Sequence, residues 1–139
     1  MAHSDSHEED IRAALERYVD AFGEGDFLVT ARSMAFPVML IANDWTQLFQ
    51  TADDYAQAMT QMSAELAARG YATSRFIEVV VTLLDTRLAI AATRFERLRD
   101  DGSVLEIGAA LYTVRQQADG WKIAVMAPAT TDIASALRR

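Results

Sequence analysis

The spacing of apolar residues changes along the chain. The amino-terminal part has helical spacing interrupted by one short strand pair, and the carboxyl-terminal part has apolar runs of strand length. Ser6-His-Glu-Glu9 reads as a capping box, so residues 1–5 are expected to be a frayed tail. A helix follows to about Phe22, with Ile11, Leu15, Tyr18 and Phe22 on one face and Gly23 as its left-handed terminus. Asp26 is placed to cap a short second helix through about Met34. Pro37 stops that helix, and Pro37 to Ile41 is rich in strand formers. Asn43-Asp44 then turns the chain into Trp45 to Phe49, giving a first hairpin. Thr51 caps a third helix, with Asp53 and Asp54 at its positive dipole end. Tyr55, Met59, Met62 and Leu66 form the buried stripe of that helix, and Gly70 ends it.

Tyr71 to Leu84 reads as a long strand, and two more flank Asp101-Gly102 between Arg87 and Arg115. A type I′ turn at Asp101-Gly102 sets Arg97 opposite Glu106 and Phe95 opposite Gly108. The first is an opposite-charge pair, and the second lets an aromatic ring cover a bare glycine. A further hairpin at Asp119-Gly120 feeds Trp121 to Met126. The order is helix, helix, hairpin, helix, then four antiparallel strands, which defines an α+β domain. Strict alternation in the first long strand puts Phe76 and Val80 on one face and Ile77, Val79 and Val81 on the other. Apolar residues on both faces imply a covered outer face, and a homodimer through that face is the natural cover. Beyond Pro128 only Ile133 to Leu137 has helical pattern, so residues 128–139 are expected to be a flexible end.

Composition narrows the class. The 139 residues suit one domain spanning 1–139, 51% hydrophobic and 24% charged. A net charge of -7 argues against nucleic acid or an anionic membrane as partner. No cysteine is present, which excludes disulfides and thiolate chemistry and agrees with a cytoplasmic location. The acidic amino terminus is unlike a secretory signal, and the longest apolar run, Ile77 to Leu84, is only strand length.

Glu16-Arg-Tyr-Val-Asp-Ala-Phe-Gly-Glu-Gly-Asp26 in the opening helix pair, the strand order, and Asp119-Gly-Trp-Lys-Ile123 carry a resemblance over residues 8–127. The chain resembles the nuclear transport factor 2-like superfamily, which includes ketosteroid isomerase and SnoaL-like cyclases. The resemblance implies a cystatin-like cone: a curved antiparallel sheet wrapped around three helices, with a pocket inside and usually a homodimer. It implies no particular chemistry.

Ketosteroid isomerase pairs a carboxylate base with a tyrosine and a protonated acid around an enolate oxygen. By that likeness Tyr18 corresponds to the oxyanion tyrosine and Asp44 lies near the position of the base, while Ala109-Ala110 occupies the place of the second acid. The residues themselves read first as a core aromatic at Tyr18 and a plain turn residue at Asp44. Dehydratase-like relatives need a His–Asp pair, but the histidines here, His3 and His7, lie in or beside the tail. No metal-ligand spacing is present, and neither metal nor cofactor is expected. Glu78 is a further candidate carboxylate. Arg94 and Glu96 alternate away from Arg97 and Glu106; if their face is concave, they could orient a ligand. Phe22, Trp45, Phe49 and Tyr55 are the aromatic candidates for the pocket wall. The resulting expectation is a small-molecule-binding protein with an apolar pocket and no complete catalytic set. The alternatives are an isomerase or cyclase acting through an enolate, and a homodimeric interaction module.

Overall fold

The computed structural model describes residues 2–138, with side chains from residue 6 onward. The elements are α1 (Ala2–Glu24), α2 (Phe27–Ala31), β1 (Met34–Ile41), β2 (Thr46–Phe49), α3 (Ala52–Ala68), β3 (Thr73–Asp85), β4 (Leu88–Leu98), β5 (Val104–Gln117), β6 (Gly120–Pro128) and α4 (Ile133–Leu137). The strands form one six-stranded sheet in the order β2-β1-β6-β5-β4-β3. All neighbours are antiparallel except β1 and β6, which run parallel. That single parallel contact joins the first hairpin to the later strands. The architecture is the α+β cone expected.

Several local expectations are met. Asp26 accepts from the Val29 N–H at 3.2 Å and Thr51 from the Asp54 N–H at 3.2 Å, so both side chains cap their helices. Tyr55, Met59 and Leu66 are buried as the helical stripe requires. Others are corrected. Helix α1 already includes residues 2–5, so Ser6 lies inside it and forms no capping box. Gly25, with φ 79°, follows the end of α1, whereas Gly23 is still helical and packs against Thr73. Helix α2 stops at Ala31, and Met34 already belongs to β1.

The β4–β5 hairpin keeps the expected pairs by a different route. Arg97 faces Glu106 and Phe95 faces Gly108. Yet Asp101 has negative φ, and only Gly102 is left-handed, at 86°. The Gly102 N–H bonds to Arg99 O and the Arg99 N–H to Ser103 O, a three-residue loop with glycine at the left-handed position. The register shift between Arg97 and Leu98 then restores the pairing of a two-residue turn. In the β5–β6 hairpin, Gln117 pairs with Gly120, so Ala118-Asp119 form the turn rather than Asp119-Gly120.

The concave side holds the core. Ile11 and Leu15 of α1 and Tyr55 and Met59 of α3 pack with Val38, Val79, Ala91, Tyr112 and Ile123 of the sheet. Arg12 donates to Val79 O at 3.0 Å, tying α1 to β3. A register irregularity between Phe76 and Glu78 breaks the expected alternation in β3. Phe76 therefore joins Val79 and Val81 against the core, and touches Tyr112.

Helix α4 packs on β4, β3 and β5, with Ala134 fully buried. Arg138 pairs with Glu78, whose neighbour Val79 faces the core, so α4 covers the opposite face. Residues 132–138 are thus docked rather than loose. They cover part of the outer face that the sequence reading assigned to a second copy. Glu78, ion-paired on that face, is turned away from any interior chemistry.

Candidate functional site

Between α1, α3 and the concave sheet lie two cavities, of about 200 Å³ and about 80 Å³. They share Tyr18, Met62, Phe95, Arg97 and Tyr112 as lining residues. Trp45, Met59 and Met126 complete much of the larger wall; Phe22, Leu66 and Ser74 belong to the smaller. The apolar spacing of α1 and α3 aims Tyr18, Met59 and Met62 at the sheet, and alternation in β4 and β5 presents Phe95, Arg97 and Tyr112 to them.

Tyr18 is 9% exposed and donates its hydroxyl to Met126 Sδ at 3.3 Å. Burial, reinforced by Tyr71 and opposed by Arg97, pushes its pKa up to about 12. Tyr112, edge-on to Tyr18 with ring centroids 6.1 Å apart, is pushed well above the ordinary tyrosine value by burial. Both are neutral phenols at physiological pH. Tyr55 stands behind this wall against Phe36 and Phe49; it is fully buried, and its hydroxyl, beside that of Tyr18, makes no hydrogen bond of ordinary geometry among the described residues. The Phe95 ring lies so close over Gly108 that a Cβ there would sit 2.7 Å from it.

Among the described residues, Arg97 supplies the only charge on the cavity walls. Its guanidinium lies 5.3 Å from the centre of the Phe95 ring and donates to Glu106 at 2.5 Å. Arg69 takes the other oxygen of Glu106 at 2.7 Å. The Arg69 and Arg97 guanidiniums hold the Glu106 carboxyl below its ordinary value of 4.5. A lowered folded-state value means these pairs contribute fully above about pH 4.5 and fade as acid titrates the carboxylate. Wild type and Glu106→Gln should therefore differ in urea midpoint at pH 7 and converge towards pH 3. A gap that stays constant over that range would disprove the linkage.

The structure sorts the candidates. Tyr18, Phe22 and Trp45 reach the cavity walls. Phe49 and Tyr55 are core residues beneath them. Asp44 is exposed in the β1–β2 turn and lines neither cavity. Arg94 and Glu96 lie on the outer face, where Glu96 accepts from Arg75 at 2.8 Å, because Arg97 and Glu106 hold the concave positions. They are not brought together with Tyr18. No Asp, Glu or His lines either cavity among the described residues, and Ala109 and Ala110 stand in the larger wall. His7 stacks edge-on against Trp121 with centroids 5.5 Å apart; the side chain of His3 lies outside the described residues. Sequence reasoning missed Tyr112, Met126 and the inward turn of Arg97. The pairing of Phe95 with Gly108 was the available signal, since it fixes which β4 residues share a face.

A curved sheet closed by helices, with an aromatic interior, defines a protein of the NTF2-like, cystatin-like class. The chain belongs to the family described as NTF2-like protein (DUF6841), whose model matches residues 8–131. It is similar to an NTF2-like protein with a cystatin-like fold from Novosphingobium aromaticivorans, at 20% identity and TM-score 0.74, over 96% of this chain and 90% of that one. An NTF-2 like protein of unknown function from Shewanella oneidensis aligns at 18% identity and TM-score 0.69, over 88% and 98%. A candidate ketosteroid isomerase from Shewanella frigidimarina aligns at 17% and TM-score 0.63, over 84% and 92%. At these identities the likeness is one of fold. No curated protein matches the sequence.

Among the described residues, no helix is long and apolar enough to cross a membrane.

Proposed function

We propose that this protein binds a small, largely apolar molecule inside the cone, without a complete acid–base set acting on it. The observation that carries this reading is the cavity of about 200 Å³ walled by Tyr18, Trp45, Met59, Tyr112 and Met126. Such a concave apolar site with a few convergent polar groups is the usual form of a ligand pocket. An isomerase or cyclase acting through an enolate would have donors in Tyr18 and Tyr112. It would need a base within hydrogen-bond reach of the substrate carbon, and the lining residues offer none. Binding without turnover is the reading favoured by that inventory.

Trp45 reports on the site directly, being 49% exposed at the wall, whereas Trp121 is buried elsewhere. Titration with 2-naphthalenemethanol should give a saturable change in tryptophan fluorescence. Ala110→Leu, which fills the cavity, should weaken it about tenfold while circular dichroism stays unchanged. Saturable binding that is indifferent to Ala110→Leu would refute the pocket as the functional site.

A further inference from the structure

Among the described residues, the charged side chain facing the two cavities, Arg97, can only donate, while the hydroxyls beside it can donate or accept. Tyr18 spends its hydroxyl proton on a thioether, a weak acceptor. Tyr112 brings a second phenol to the same wall. Ser74 shares its hydroxyl with Tyr71 at 2.8 Å. Arg97 has only donors, and among the described residues one of them is engaged, by Glu106. The hydroxyls can adapt to either kind of group, but only an occupant that brings an acceptor would satisfy Arg97.

Charge narrows the acceptor further. Arg69, Arg97 and Glu106 together carry one net positive charge, and Arg97 is the member that lines both cavities. Glu106 already shows that the Arg97 guanidinium can meet a carboxylate. If Arg97 turns to a ligand, Glu106 keeps Arg69 and is not stranded. Three rings, Trp45, Phe95 and Tyr112, stand among the aliphatic and methionine side chains of the larger wall, suited to stacking or edge contacts with a flat partner.

Resting on the binding function proposed above, we propose that the occupant is a flat aromatic monocarboxylate. Its ring lies among Trp45, Phe95 and Tyr112, and its carboxylate is taken by Arg97 with help from the Tyr18 hydroxyl. Burial keeps both phenols protonated, so they serve as neutral donors rather than as competing anions.

The test is calorimetric titration of the full chain with 2-naphthoate and with 2-naphthalenemethanol, the same ring without the charge. Wild type should bind the acid at least about tenfold more tightly than the alcohol, as charge-assisted hydrogen bonds are stronger than neutral ones. Arg97→Met should abolish that preference and leave the alcohol's affinity in place. Glu106→Gln, which removes the competing carboxylate, should strengthen acid binding and leave the alcohol unchanged. Equal or tighter binding of the alcohol by wild type overturns this inference while the pocket reading stands. A preference that survives in Arg97→Met overturns it as well. Should Arg97→Met fail to fold, Glu106→Gln decides: an acid preference no greater than wild type's overturns the proposal. If neither ligand binds wild type, the pocket reading falls too.

Discussion

Tyr55→Ala is expected to cost about 3–5 kcal/mol of stability, whereas Tyr55→Phe is expected to gain about 1 kcal/mol. The ring of Tyr55 is completely buried between α3 and the sheet, edge-on to Phe36 and Phe49 with centroids 6.2 Å and 5.8 Å away. Removing it leaves a hole that the packed neighbours fill only in part. The hydroxyl is a separate matter, because it is buried beside the Tyr18 hydroxyl yet makes no hydrogen bond of ordinary geometry among the described residues. Its pKa is raised by burial above all, which is the same desolvation seen from the proton's side. Replacing only the hydroxyl relieves that cost and keeps the packing. Thermal melts of the two variants check both signs; a gain of about 1 kcal/mol corresponds to a rise of about 3 °C in a domain of this size. A Tyr55→Phe variant less stable than wild type would show that the hydroxyl is bonded after all, with the neighbouring Tyr18 as its partner.

Gly108→Val is expected to destabilise the fold by about 1–3 kcal/mol, although valine is the better strand former. The ideal Cβ would stand 2.7 Å from the Phe95 ring, closer than any carbon contact allows. Phe95 pairs directly with Gly108 across β4 and β5, so its ring must swing away to admit the new side chain. The open space beside it is the pair of cavities that it lines. The displaced ring should therefore close them, and 2-naphthalenemethanol binding should fall about tenfold or more. Phe95→Ala in the same chain removes the collision. The double variant should be less destabilised than the two single changes added together, a coupling that urea unfolding of all four proteins would measure. Strict additivity would mean that ring and glycine are not in contact.

Much of this protein is readable from local chemistry. Thr51 and Asp26 cap helices because a side-chain oxygen satisfies an otherwise free N–H, and this needs no tertiary partner. Helical spacing likewise placed Tyr55, Met59 and Leu66 on one buried stripe. The glycine-containing turn brought Arg97 to Glu106 and Phe95 to Gly108. Even there the turn type was misread, since Asp101 keeps negative φ and the bulge beside Leu98 repairs the register.

What the tertiary structure decided is direction. Apolar residues on both faces of β3 and β4 leave two registers nearly equivalent in pattern, and a shift of one residue exchanges every side chain between core and outside. The irregularity beside Phe76 and the packing of α1 resolve that choice, sending Arg97 inward and Arg94 and Glu96 outward. Asp44, near a family base by order along the chain, ends in an exposed turn. The parallel pairing of β1 with β6 joins residues far apart in sequence, and no local period encodes it. The docking of α4 against the outer face depends on the same long-range closure. The chain's own pattern thus determined most of its helices, its hairpins and its α+β class, while the cone came with the family resemblance. Which side of the sheet became the interior, and hence which arginine meets the pocket, followed only when distant segments competed to bury the same apolar surface.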